Sequence, residues 1–102
     1  MAPVRAIIGG IKIHPLRLLR EERGMTLAQV AKAMRTDVPD LSRLETGQLF
    51  ATDAYLARYA KALRVPYRRT RMAYLLTCEL AALRLLEWSH AEMRRLYGRK
   101  GA

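Results

Sequence analysis

Thr26-Leu27-Ala28-Gln29-Val30-Ala31-Lys32-Ala33-Met34-Arg35-Thr36-Asp37-Val38-Pro39-Asp40-Leu41-Ser42-Arg43-Leu44-Glu45 is the stretch whose reading decides how this chain folds. A hydroxyl at Thr26 followed three residues later by Gln29 has capping-box spacing, in which each side chain satisfies the other residue's backbone N–H. Leu27, Val30, Ala31 and Met34 then recur at the three-to-four-residue period of a helix with one apolar face. Asp37 is an N-cap for the next helix, and Pro39 is tolerated in its first turn, where a missing N–H costs nothing. Leu41 and Leu44 share one face of that helix, which ends near Gly47. The spacing predicts two short helices joined by a tight turn.

Working outward, Pro15 suits the first turn of a preceding helix, Leu16, Leu18 and Leu19 give it an apolar stripe, and Gly24 stops it. Downstream, Thr52 or Asp53 caps a fourth helix in which Tyr55, Leu56, Tyr59, Ala60 and Leu63 recur at helical spacing. Beyond the Val65-Pro66 break, Met72, Leu75, Leu76, Leu80, Leu83 and Leu86 form one apolar arc of a long helical stretch. Tyr74, Cys78, Leu85 and Trp88 form another on nearly the opposite side. A helix apolar on two sides must be covered on two sides. One arc is expected to pack on the helical domain, while Leu75, Leu76, Leu80, Leu83 and Leu86 hold a second chain; the alternative is that one small bundle uses both. Ser89-His90-Ala91-Glu92 repeats the capping-box spacing and predicts a separate short helix to Tyr97. Gly9-Gly10 between two short β-branched runs reads either as a hairpin or as a flexible basic arm carrying Arg5 and Lys12. The chain thus divides into an arm (1–13), a helical domain (14–65) and a C-terminal helical extension (66–102).

The chain's 102 residues fit one small domain, and an apolar content of 51% suits a folded chain rather than a disordered one. Nineteen Lys and Arg, fifteen of them Arg, oppose nine Asp and Glu, for a formal charge of +10. Such a surplus favours a polyanionic partner, and arginine is the side chain best shaped for bidentate phosphate and guanine contacts. A membrane surface is the weaker partner, because the basic residues do not oppose a clean apolar stripe. No run approaches the ~18 apolar residues of a spanning helix, no secretory leader is recognisable, and the chain reads as cytoplasmic, nucleoid-associated if that polyanion is DNA. The lone Cys78 cannot form an internal disulfide, and no Cys/His cluster has zinc spacing, so neither metal nor cofactor is expected. His14, His90, Ser42 and Ser89 have no triad-like company, and an enzyme is not expected.

From Leu16 to Val65 the chain resembles the phage-repressor/Cro-like (XRE) helix-turn-helix family. The resemblance is carried by Leu16-x-x-Leu19-Arg20-x-x-x-Gly24-Met25-Thr26, Val30-Ala31-x-x-Met34, Leu41-Ser42-Arg43-Leu44-Glu45-x-Gly47 and Leu56-x-x-Tyr59-Ala60-x-Ala62-Leu63. It implies an all-α fold, a five-helix repressor-like bundle with an added C-terminal dimerisation extension, whose third helix enters the major groove of double-stranded DNA. It also implies a structural ion pair between Arg20 and Glu45. The DNA-contacting positions carried over are Thr26 and Gln29 on the second helix, Asp37, Val38, Pro39, Asp40, Ser42 and Arg43 on the third, and Thr46 and Gln48 after it. Arg43 is the strongest of these, since a guanidinium can bond guanine O6 and N7 together. The chain departs from the family pattern at Leu27, where Gln is common, and at Val38 and Pro39, where polar readers are common. It also carries Arg35 where the turn usually has Gly, and Phe50-Ala51 in the following loop. The implied function is a homodimeric sequence-specific repressor. The alternatives are an antitoxin that represses its own operon beside a toxin partner, and a protein-interaction adaptor that retains the fold; the positive charge favours DNA.

Overall fold

Three of the first four helices begin on a capping side chain of their own. The computed structural model describes residues 14–97; the expected arm or hairpin with Arg5 and Lys12 lies outside the described residues. The elements are α1 (Pro15–Glu22), α2 (Leu27–Met34), α3 (Val38–Glu45), α4 (Asp53–Leu63) and α5 (Tyr67–Tyr97), an all-α fold. Thr26 Oγ1 accepts from the Gln29 N–H at 3.1 Å while Gln29 Oε1 accepts from the Thr26 N–H at 2.8 Å, closing the capping box of α2. Asp37 caps α3 by accepting from the Asp40 N–H at 2.8 Å, and Thr52 caps α4 by accepting from the Tyr55 N–H at 3.1 Å. Helix α1 has no side-chain cap of its own. Instead its Leu16 N–H donates to Thr77 Oγ1 on α5 at 3.3 Å, so a distant threonine satisfies that orphan donor.

Leu16, Leu19, Val30, Met34, Leu41, Leu44, Leu56, Tyr59 and Leu63 interlock as the core, with Tyr74 reaching in from α5. Leu18, expected in the α1 stripe, is 46% exposed. Helices α2 and α4 end on arginines in the left-handed region, Arg35 at φ 57° and Arg64 at φ 59°. Such a backbone costs a side-chain-bearing residue roughly 1–2 kcal/mol. Arg35 occupies the turn position where the family pattern has Gly; Arg64 is a second instance that no sequence signal indicated.

Helix α5 corrects two expectations. It runs unbroken for 31 residues, and no separate helix starts at Ser89. The Ser89 hydroxyl donates to the Leu86 carbonyl at 2.9 Å, bonding back onto the preceding turn instead of capping a new one. Its domain-facing stripe runs between the two apolar arcs and takes one member of each: Thr70, Tyr74, Thr77 and Leu80 are its buried residues. Leu80, expected to face a second chain, is 1% exposed and packs inside its own. That stripe lies against α1 and α4, so the first half of α5 is the fifth helix of the bundle. The second half projects beyond it and gives the molecule its length, 54 Å against 28 and 22 Å in the other directions.

Candidate nucleic-acid interface

A buried polar network sets the position of α3. The Arg20 guanidinium on α1 grips the Glu45 carboxylate at the end of α3 through two bonds, Nε to Oε2 at 2.7 Å and Nη2 to Oε1 at 3.1 Å. Its third arm donates to the Met25 carbonyl at 2.8 Å, and the Tyr59 hydroxyl on α4 donates to Glu45 Oε2 at 2.7 Å. The bond to Glu45 raises the Arg20 pKa above its ordinary value. Burial, with the Glu45 charge beside it, raises the Tyr59 pKa far above that of a free phenol. The network ties three helices at one point, which fixes the roll of α3. The side facing away from Leu41, Leu44 and Glu45 is thereby held toward solvent.

On that outer side Val38, Pro39 and Arg43 are exposed, and Asp40 and Ser42 are half-buried. Arg43 pairs with Asp40 one turn back. Asp37 is spent as the cap of α3, and the Thr46 hydroxyl donates to the Ser42 and Arg43 carbonyls at 3.0 and 3.2 Å. The Gln48 N–H donates to the Arg43 carbonyl at 2.8 Å, leaving its side chain exposed. Gln29 gives its carbonyl oxygen to the capping box and keeps its amide N–H groups for a partner. Ser42 and Thr46 share a hollow of about 250 Å³ with Leu27 at the start of α2 and with Arg17 on α1. Thr26, Leu27 and Arg17 line an adjoining hollow of about 420 Å³. The N-terminus of α2, with its outward N–H groups, and the C-terminal part of α3 therefore open onto one surface.

A family model described as a helix-turn-helix domain matches residues 14–75. The chain belongs to the helix-turn-helix domain family. No curated protein and no solved structure matches it. The membership makes DNA the class of partner and DNA-binding regulation the class of function, in a family that is typically non-enzymatic. Among the described residues no helix is long and apolar enough to cross a membrane, and no group of three or more His, Cys, Asp or Glu could hold a metal ion.

Three features of this helix-turn-helix domain escaped the sequence reading. Arg17 sits beside the α2 N-terminus, exposed and 2.9 Å from Glu21 one turn on; in sequence that spacing reads as ordinary helix surface. The loop after α3 is clamped on α5: the Tyr74 hydroxyl donates to the Leu49 carbonyl at 2.7 Å and accepts from the Ala51 N–H at 2.9 Å. A Cβ on Gly47, at φ 79°, would stand 2.8 Å from Ala81 Cβ, so only glycine lets the loop lie this close. Clamping residues 49 and 51 inward turns Phe50 outward, 99% exposed. The third feature is cationic. Arg35, Arg58, Lys61 and Arg64 line a cleft of about 570 Å³ with no acidic residue among its walls. Arg58 there donates to the Met34 carbonyl and stacks over the Tyr55 ring, 5.6 Å from its centroid.

Proposed function

We propose that this chain is a dimeric, sequence-specific DNA-binding regulator of the phage-repressor/Cro-like kind, which represses by occupying an operator with α3 in the major groove. The observation that carries the reading is the outer face of the α2–α3 unit. Arg43, Ser42 and Gln48 stand on it beside the open N-terminus of α2, and the Arg20–Glu45–Tyr59 network holds that face rigid. A rigid polar surface presented by a helix is what base-edge readout requires. The Asp40 carboxylate holds the Arg43 guanidinium along the helix, oriented for a two-bond contact with guanine. Thr26, Gln29, Arg17 and Thr46 flank it as phosphate-side contacts. Asp37 serves as a cap, and Val38 and Pro39 supply apolar contact with thymine methyl groups.

The exposed apolar residues Leu75, Leu76 and Leu86, with half-buried Leu83, hold the dimer in this reading, without Leu80. Two-fold pairing places half-sites about 34 Å apart. The fully exposed Phe50 favours a second reading, an adaptor that meets another protein through the α3–α4 loop. Selection of bound duplexes from a random pool separates the two. A regulator enriches a two-fold symmetric motif, and Arg43→Ala loses preference at one base pair per half-site; an adaptor enriches none.

A further inference from the structure

The side of α5 turned away from the bundle carries a pattern that reads the same in both directions. Starting at Met72 and stepping alternately by four and three residues to Tyr97, the positions lie in one line opposite the buried Thr70, Tyr74 and Thr77. Seven of these eight positions are exposed and Leu83 is half-buried. Six are apolar, and the third position from each end is polar: Glu79 from one end, His90 from the other. Reversal of the helix exchanges the two.

We infer that α5 pairs with α5 of a second copy of this chain as an antiparallel two-stranded coil, in the register that sets Glu79 opposite His90. That register makes Leu83 face Leu86 at the centre, Leu76 face Met93 and Met72 face Tyr97, so apolar meets apolar in every other layer. A two-fold axis requires a patch complementary to itself, and this line meets that requirement. A parallel pairing sets Glu79 against Glu79 and His90 against His90, placing two carboxylates together in the seam. Sliding the antiparallel pairing by one heptad either way buries Glu79 against an apolar side chain. Polar complementarity, a carboxylate facing an imidazole N–H that can donate to it, therefore selects one direction and one register. A hollow of about 470 Å³ walled by Pro15, Met72, Ala73, Leu75, Leu76 and Glu79 opens on the same side. In this register Met93 and Tyr97 of the second copy arrive at that hollow and fill it. The inference rests on the dimeric reading above and adds its direction and register.

The test is cross-linking of the full chain in a Cys78→Ala background, since Cys78 is its single cysteine. Chains carrying Leu76→Cys and chains carrying Met93→Cys are oxidised separately, and again after mixing with subunit exchange. A disulfide dimer that forms only in the mixture supports the antiparallel register. Cross-linking of either variant with itself overturns it in favour of parallel pairing. No cross-link while the wild type sediments as a dimer overturns the register and leaves the dimer standing; a monomeric wild type overturns both. A charge exchange at two exposed positions gives a second reading. Glu79→Lys raises the dimer dissociation constant about tenfold or more, and Glu79→Lys with His90→Glu returns it to within about threefold of wild type. Failure of the double variant to recover overturns the pairing of these two residues.

Discussion

Helices α3 and α5 solve the same problem in opposite ways. Each has one side tied into the bundle by polar groups, the Glu45 carboxylate on α3 and the Tyr74 and Thr77 hydroxyls on α5, and one side left to solvent. On α3, eight residues long in all, the free side carries Asp40, Ser42 and Arg43 beside Val38 and Pro39; on α5 it runs from Met72 to Tyr97 and is mostly apolar. A wet partner such as a groove of DNA suits the first, and a dry partner such as another helix suits the second. The two free surfaces thus differ in kind, and the buried anchors decide which side of each helix faces out.

The largest effect should come from the anchor of α3. Glu45→Ala leaves the Arg20 charge buried without its carboxylate, which should cost about 3–5 kcal/mol in urea unfolding. An effect below about 1 kcal/mol would mean that α3 is held by apolar packing alone. Next is the apolar side of α5: Leu86→Lys should shift sedimentation from dimer toward monomer while the far-ultraviolet circular dichroism of the chain persists, because that side chain is 51% exposed. On the polar side of α3, Arg43→Ala should weaken binding to the selected operator by about 1–3 kcal/mol, with little change in stability. Smallest is the turn between α2 and α3. Arg35→Gly relieves a left-handed backbone and should change stability by no more than about 1 kcal/mol, upward if strain outweighs the entropy glycine gains in the unfolded chain.

What could be read in the sequence was mostly what acts locally. Thr26, Asp37 and Thr52 cap helices with partners three residues away, and such signals are complete within a few positions. The helix-turn-helix arrangement followed from them. The inner stripe of α5 could not be read by apolar periodicity, because threonines carry half of it: Thr77 is buried to serve the α1 N-terminus, which lies 61 residues earlier. Ser89 misled for the converse reason, since a hydroxyl that bonds back onto its own helix has the same spacing as one that caps a new helix. The cationic cleft was invisible because Arg35, at the end of α2, meets Arg58, Lys61 and Arg64, from the middle to the end of α4, only in the fold. Phe50 was visible, but its outward direction depends on Tyr74 gripping the loop on both sides of it.

The most direct test of the central claim, that the outer face of α3 meets duplex DNA, is a titration of fluorescent random-sequence duplex with the full chain at several salt concentrations. The account predicts measurable binding at low salt, with an affinity that falls linearly on a log–log plot at a slope of about −0.9 per phosphate neutralised. Arg43→Ala should bind more weakly, with a shallower slope if the guanidinium also neutralises a phosphate. Absence of binding at low salt, or affinity that ignores salt, would contradict it.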